Sequence, residues 1–305
     1  MSEASRSFWE NLFFSPDERR LRAGWRIVGT LFLLITYASL FSILYILIGR
    51  GEDQPAAFFN AYNGFVVFLI VTAGIFTGRR LLDRRSITSL GLRLNGRAAA
   101  DLLVGILIAG LIMGTIYLIE SAAGWLHFNG FAWQTNSWNQ ITYGAGLFLI
   151  AYIFVGWYEE LIMRGYLLQN LADGLNLAWA VIISSVVFAA GHLGNPNASW
   201  VAVLGLILAG LFLAFGYLRT WQLWLPVGIH IGWNFFEGTV FGFAVSGTSS
   251  YRLIQQTVNG PGIMTGGAFG PEAGLILVPA LILGTILIYF YTKNRIQDTG
   301  EQKEP

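Results

Sequence analysis

Apolar residues in this chain come in long unbroken runs, not in the alternation of a half-buried strand, and polar residues gather in short stretches between them. Eight runs approach the roughly 20 residues a helix needs to cross a bilayer, where lipid leaves backbone amides no partner but each other. They cover residues 27–49, 56–78, 102–119 (with an extension towards Leu126), 141–171, 175–193, 198–218, 221–244 and 273–292. The pattern predicts an all-α polytopic membrane protein with about eight transmembrane helices. The first run is too long and too late for a signal peptide, so it is expected to stay on the mature protein. The segment 127–140 reads as an outer loop whose Trp133 and Trp138 anchor at the interface, and the Gly-rich stretch 259–270 reads as a flexible outer connection.

Composition agrees. Only 11% of the 305 residues are charged, against about 25% in an ordinary soluble domain. The net charge of +1 argues against nucleic acid as a partner, and the absence of cysteine removes disulfides, thiolate metal ligands and a cysteine nucleophile. With eight crossings, sixteen of the 18 Lys and Arg residues fall on the side of the two termini, and Arg50 and Arg252 stay on the other. The positive-inside rule then puts both termini in the cytoplasm. Basic residues of the N-terminal segment and second loop are suited to anionic lipid headgroups, or simply set this topology.

Three of the runs carry ionisable residues. In Gly156-Trp157-Tyr158-Glu159-Glu160-Leu161-Ile162-Met163-Arg164-Gly165 the apolar run continues to the turn at Asp173-Gly174, which places two carboxylates and a guanidinium inside the membrane. At about 1.5 Å per residue, Glu159 lies roughly 21 Å from that turn, His192 roughly 27 Å and His230 roughly 15 Å from the ends of their own helices. These positions share one band of depth. Glu160 and Arg164 are four apart with the carboxylate first, the favourable order for an ion pair on one helix face. Glu159 is turned about 100° away and stays free to face something else. Phe188 and His192 are four apart, as are His230 and Asn234, so each pair presents one face of its helix. His127 and Glu120 are expected near the outer interface, and Glu237 near the outer end of the seventh run.

The motifs Glu159-Glu160-Leu161-Ile162-Met163-Arg164, Phe188-Ala189-Ala190-Gly191-His192 and His230-Ile231-Gly232-Trp233-Asn234 resemble, in order, the EExxxR, FxxxH and HxxxN motifs of the CPBP family. This is the family of type II CAAX prenyl endopeptidases and bacteriocin-processing or immunity proteins. The resemblance covers about residues 143–244. It divides the chain into an N-terminal membrane region of three helices (1–140), a catalytic core (141–245), and an outer loop, last helix and cytoplasmic tail (246–305). It implies a glutamate-dependent intramembrane endopeptidase acting on lipid-modified or membrane-tethered peptides, without a cofactor, in a bacterial plasma (inner) membrane with its site open to the cytoplasm. Glu159 would be the general base, His192 would help it hold water, and His230 with Asn234 would stabilise the oxyanion. Glu160, Arg164 and Phe188 would support them.

Other chemistries use the same residues. Two histidines and one or two carboxylates are ligands that zinc accepts, although no HExxH places two histidines on one helical turn. Ser184 or Ser185 beside His192 lacks an acid partner and a Gly-x-Ser-x-Gly elbow. A proton-coupled permease can use such groups as a relay, but here they fall in one half of the chain. A non-catalytic binding or immunity protein can keep the pocket unused. The small residues Gly205, Ala209 and Gly210 suit internal packing and dimerisation equally.

Overall fold

The structure, a computed structural model, describes residues 7–15, 20–48 and 56–295. Arg6, Arg19, Arg50 and Lys303, which entered the orientation argument, lie outside them. A six-residue helix α1 (Phe8–Phe13) precedes the long α2 (Ala23–Ile48), α3 (Ala56–Leu81) and α4 (Gly96–Ala122). Strand β1 (Leu126–Phe131) follows, then α5 (Trp138–Glu160), α6 (Gln169–Gly174), α7 (Leu177–Ala190), α8 (Trp200–Thr220) and α9 (Trp224–Asn234). Strand β2 (Ile254–Val258), the single turn α10 (Gly262–Thr265) and α11 (Leu277–Thr292) complete the chain.

Each of the eight apolar runs carries helix among the described residues, and the protein is an all-α integral membrane protein. Among the described residues, five helices are long and apolar enough to cross a membrane, the longest running from Trp138 to Gly174 through α5 and α6. The helices α7 and α11 are apolar but shorter, at 14 and 16 residues. Polar caps set several starts: Asn95, Asn176 and Ser199 accept backbone N–H groups at the first turns of α4, α7 and α8, and Ser137 with Gln140 closes a capping box on α5. The third run does not extend to Leu126, because α4 stops at Ala122 and Leu126 opens β1. Strand β1 pairs antiparallel with β2, so the connections after α4 and after α9 hold a two-stranded sheet.

The helix α9 sits at the centre, with every residue from Leu225 to Asn234 buried. It packs mainly on α4 and also on α5 and α8, while α7 lies along α8 and α3 along α5. Contact between α4 and α9 is backbone to backbone. A Cβ on Gly105 would stand 2.5 Å from the Leu225 carbonyl oxygen, and one on Gly228 would run into the Leu102 carbonyl. Outward faces are apolar instead: Leu103, Leu107, Leu111 and Leu118 form an exposed stripe along α4, as a lipid-facing surface requires.

Several arginines assigned above to topology or lipid contact are internally paired. Arg79 meets Asp83 at 2.8 Å, Arg26 lies 3.6 Å from the same carboxylate, and Asp173 receives Arg20, Arg26 and Arg85 at 3.0–3.2 Å. These bonds tie the end of α6 to the start of α2 and to the loop after α3. Gly205, Ala209 and Gly210 are all buried and face inward, Gly205 against the Glu272 carbonyl and Gly210 against Ser185.

Gly228→Ala is expected to force α4 and α9 apart and cost about 1–3 kcal/mol of stability. Gly96→Ala, where a Cβ meets nothing within 4 Å, is expected to be neutral. Thermal unfolding of the detergent-solubilised variants, followed by retention of the monodisperse peak, measures both.

Candidate active site

The motif helices converge. Glu160 sits at the end of α5 and is fully buried, as is Arg164 one turn on. The guanidinium Nη1 donates to Glu160 Oε1 at 2.7 Å and Nη2 donates to the Gly210 carbonyl of α8 at 2.7 Å. Its Cζ lies over the Phe188 ring, 4.9 Å from the ring centre. A third element joins the same carboxylate, because His230 Nδ1 donates to Glu160 Oε1 at 2.9 Å. One buried carboxylate therefore ties α5, α8 and α9 together.

Beside it, Glu159 turns into a different space. Its Oε2 stands 3.9 Å from His192 Nε2 and 3.7 Å from His230 Nε2. Those separations are too long for direct hydrogen bonds and suit groups that share a water. About a fifth of the Glu159 side chain and a sixth of the His192 side chain are exposed, whereas Glu160 and Arg164 are fully buried; Glu159 Oε2, the oxygen that faces the imidazoles, is buried with no hydrogen-bond partner among the described residues.

Proton positions follow from the partners. His192 Nδ1 lies 2.9 Å from the Phe188 carbonyl oxygen, which can only accept, so Nδ1 carries the proton and Nε2 points its lone pair towards Glu159 when the ring is neutral. At His230 the Nδ1 proton is held by Glu160, which leaves Nε2 facing the Glu159 side. Asn234, one turn after His230 and buried, lines a small cavity with His230, Glu272 and the apolar side chains of Phe188, Phe212 and Trp233.

Local backbone adjusts at the motifs. The chain widens into π-helix over Leu161–Leu168, immediately after Glu160, and over Phe235–Val240, immediately after Asn234. Such widenings recur at functional sites because they re-aim side chains without ending a helix.

Every motif residue named from the sequence is thus brought to one place, with one correction. His192 does not sit on a helix face. The helix α7 ends at Ala190, and His192 lies in the following turn, its N–H bonded to the Ala189 carbonyl. Ser184 and Ser185 both donate back to the Val181 carbonyl, the ordinary use of a buried helical hydroxyl. Glu120, in the last turn of α4, and Glu237, in the widened turn that ends the seventh run, are fully buried, and their carboxylate oxygens have no hydrogen-bond partner among the described residues. His127 is exposed on β1. Among the described residues no group of three or more His, Asp or Glu side chains is arranged to hold a metal ion.

Sequence reasoning missed Glu272. The stretch 259–270 is not a loose connection: Phe269 and Glu272 are buried, and the last helix starts at Leu277 instead of Ala273. A signal was present in five closely spaced glycines followed by one carboxylate, but nothing in a linear sequence shows where such a loop returns.

Residues 141–236 match the model of a family described as Type II CAAX prenyl endopeptidase Rce1-like. This stretch is a CPBP-family domain. No curated relative and no solved structure matches the chain. The CPBP match spans all three motifs, from α5 through α9, and the family is one of proteases.

Because Arg164 alone offsets the Glu160 charge within its own helix, Arg164→Ala is expected to leave a buried carboxylate short of its partner at a cost of about 3–5 kcal/mol. Arg164→Lys cannot bridge Glu160 and Gly210 in the same forked geometry and should fall between. Unfolding midpoints of the purified variants, compared at one pH and detergent, check the order.

Proposed function

We propose that this protein is an intramembrane endopeptidase in which Glu159 activates water against a peptide bond of a lipid-modified or membrane-tethered substrate. The observation that carries this reading is the split between two adjacent carboxylates. Glu160 is consumed by Arg164 and His230, while Glu159 faces both imidazoles with an oxygen that no protein group hydrogen-bonds among the described residues.

A water held between Glu159 and His192 Nε2 gives its proton to Glu159 as its oxygen closes on the carbonyl carbon. The resulting oxyanion accepts from the Asn234 carboxamide and from His230 Nε2. His230 donates there only as the imidazolium, whose other proton is held by Glu160. Glu159 then passes its proton to the amide nitrogen as the C–N bond breaks, releasing an amine and a carboxylic acid. Preorganised donors of this kind are typically worth about 10²- to 10³-fold in rate each.

On this reading the chain crosses the membrane eight times with both termini in the cytoplasm, the apolar face around the site admits a lipidated chain, and no cofactor takes part. The cysteine-free sequence makes the topology testable. Ser86→Cys, in the loop after α3, should resist a membrane-impermeant maleimide in intact cells, and Asn139→Cys, at the start of α5, should react; the reverse pattern would invert the orientation.

Incubating detergent-purified protein with a library of lipidated and membrane-tethered peptides tests the chemistry. Wild type should cleave; Glu159→Ala and His192→Ala should not, and Asn234→Ala should be slower by about 10²- to 10³-fold with folding intact. Cleavage that survives a strong chelator fits the glutamate mechanism. Loss on chelation that zinc restores would replace it with a metallopeptidase. Cleavage at an unchanged rate by Glu159→Ala would refute the assignment of the base.

A further inference from the structure

The family motifs account for one side of the site, where Glu160 and Arg164 anchor the helices. Within them His192 is held by Phe188 alone, through its carbonyl and its ring at 5.0 Å, yet His192 lies beyond the end of α7, where no helix fixes its backbone. The backbone around it is fixed from outside. Asn195 N–H donates to the His192 carbonyl at 3.0 Å, and the Asn195 side chain donates to the Ser246 carbonyl at 2.9 Å. The Ser246 hydroxyl in turn donates to Glu272 Oε2 at 2.5 Å.

These links are built in, not incidental. Glu272 is buried, and its carbonyl packs on α8 where Gly205 has no side chain to obstruct it. Gly270, at φ 104°, turns the chain inward in a conformation that only glycine adopts readily, with its Cα against the Ala244 carbonyl. Gly247, at φ 81°, fits under the Pro196 carbonyl, and its N–H donates to the Phe269 carbonyl at 2.7 Å. The His192 turn, the loop after α9 and the glycine-rich loop before α11 therefore form one clamped unit. Glu272 stands at its centre and also lines the cavity that holds His230 and Asn234.

We propose that Glu272 is a positioning residue of the catalytic site, holding His192 in place through Ser246 and Asn195. This makes the outer loop part of the catalytic machinery. The kinetic form of the claim rests on the peptidase reading above; the structural form does not.

Two measurements separate them. In the peptide assay, Glu272→Ala and Ser246→Ala should each lower kcat by about 10- to 100-fold, the range expected when a reacting group is displaced by about an ångström, with KM within about twofold. The double variant should be no worse than either single one, because both break one chain of contacts. Glu272→Gln, whose carbonyl oxygen still accepts from Ser246, should recover most of the rate. Independently of activity, nitrogen-15 histidine spectra resolve only His127, His192 and His230. Ser246→Ala and Glu272→Ala should both move the His192 ring signals and leave those of exposed His127 in place. A folded Ser246→Ala protein with an unmoved His192 signal, or additive losses in the double variant, would overturn the proposal. If wild type cleaves nothing, the peptidase reading fails and the spectra alone decide the role of Glu272.

Discussion

Removing a carboxylate from water inside a membrane protein is among the most expensive steps its fold can take, and the Glu160 site is organised around offsetting that cost. An isolated buried charge carries a penalty of several kcal/mol, which a single partner seldom cancels. Glu160 has two, Arg164 from its own helix and His230 from α9, and the guanidinium reaches on to a carbonyl of α8. Electrostatic necessity thereby becomes geometry. The same contacts that keep Glu160 tolerable fix the rotation of α5, the position of α9 and the orientation of the His230 ring. Glu159, one residue earlier on a helical backbone, is necessarily aimed elsewhere, and elsewhere is the space between the two imidazoles.

That arrangement needs α9 close to its neighbours. Glycines supply the closeness, with Gly105 and Gly228 letting α4 and α9 touch backbone to backbone and Gly156 letting Ile231 approach α5. In a bilayer, where apolar side chains gain little by leaving lipid for one another, close van der Waals packing of this type is a main source of association between helices. The π-helical turns after Glu160 and Asn234 then let each motif helix continue beyond the site with its side chains re-aimed. Bonds from Asp83 and Asp173 to the arginines of α2, α3 and the adjoining loops hold the opposite end, far from the reacting groups.

How much of this was legible in the sequence depends on what each feature rests on. Helix existence was readable because long apolar runs have few alternatives in lipid, and the motif residues stood out because charge is so scarce in this chain. The Glu160–Arg164 pair followed from spacing alone. Helix ends were less readable: the apolar character of residues 175–193 continues past Ala190, although the backbone turns there to present His192 differently from a helix face. The pairing of β1 with β2 joins segments more than a hundred residues apart, and no local pattern announces it. Glu272 was invisible for a similar reason. Its loop depends on glycine conformations and on contacts with Ser246 and Gly205, which only the fold brings together.

The central claim is that two adjacent carboxylates have different duties, and comparing Glu159→Gln with Glu160→Gln tests it most directly, with unfolding midpoint and peptide cleavage measured on the same preparations. Glu159→Gln should keep the wild-type midpoint and lose cleavage, since the site loses its base but no structural bond. Glu160→Gln should unfold at a clearly lower temperature, since Arg164 and His230 lose their shared anion. Equal effects of the two changes on both readouts, or cleavage retained by Glu159→Gln, would contradict the account.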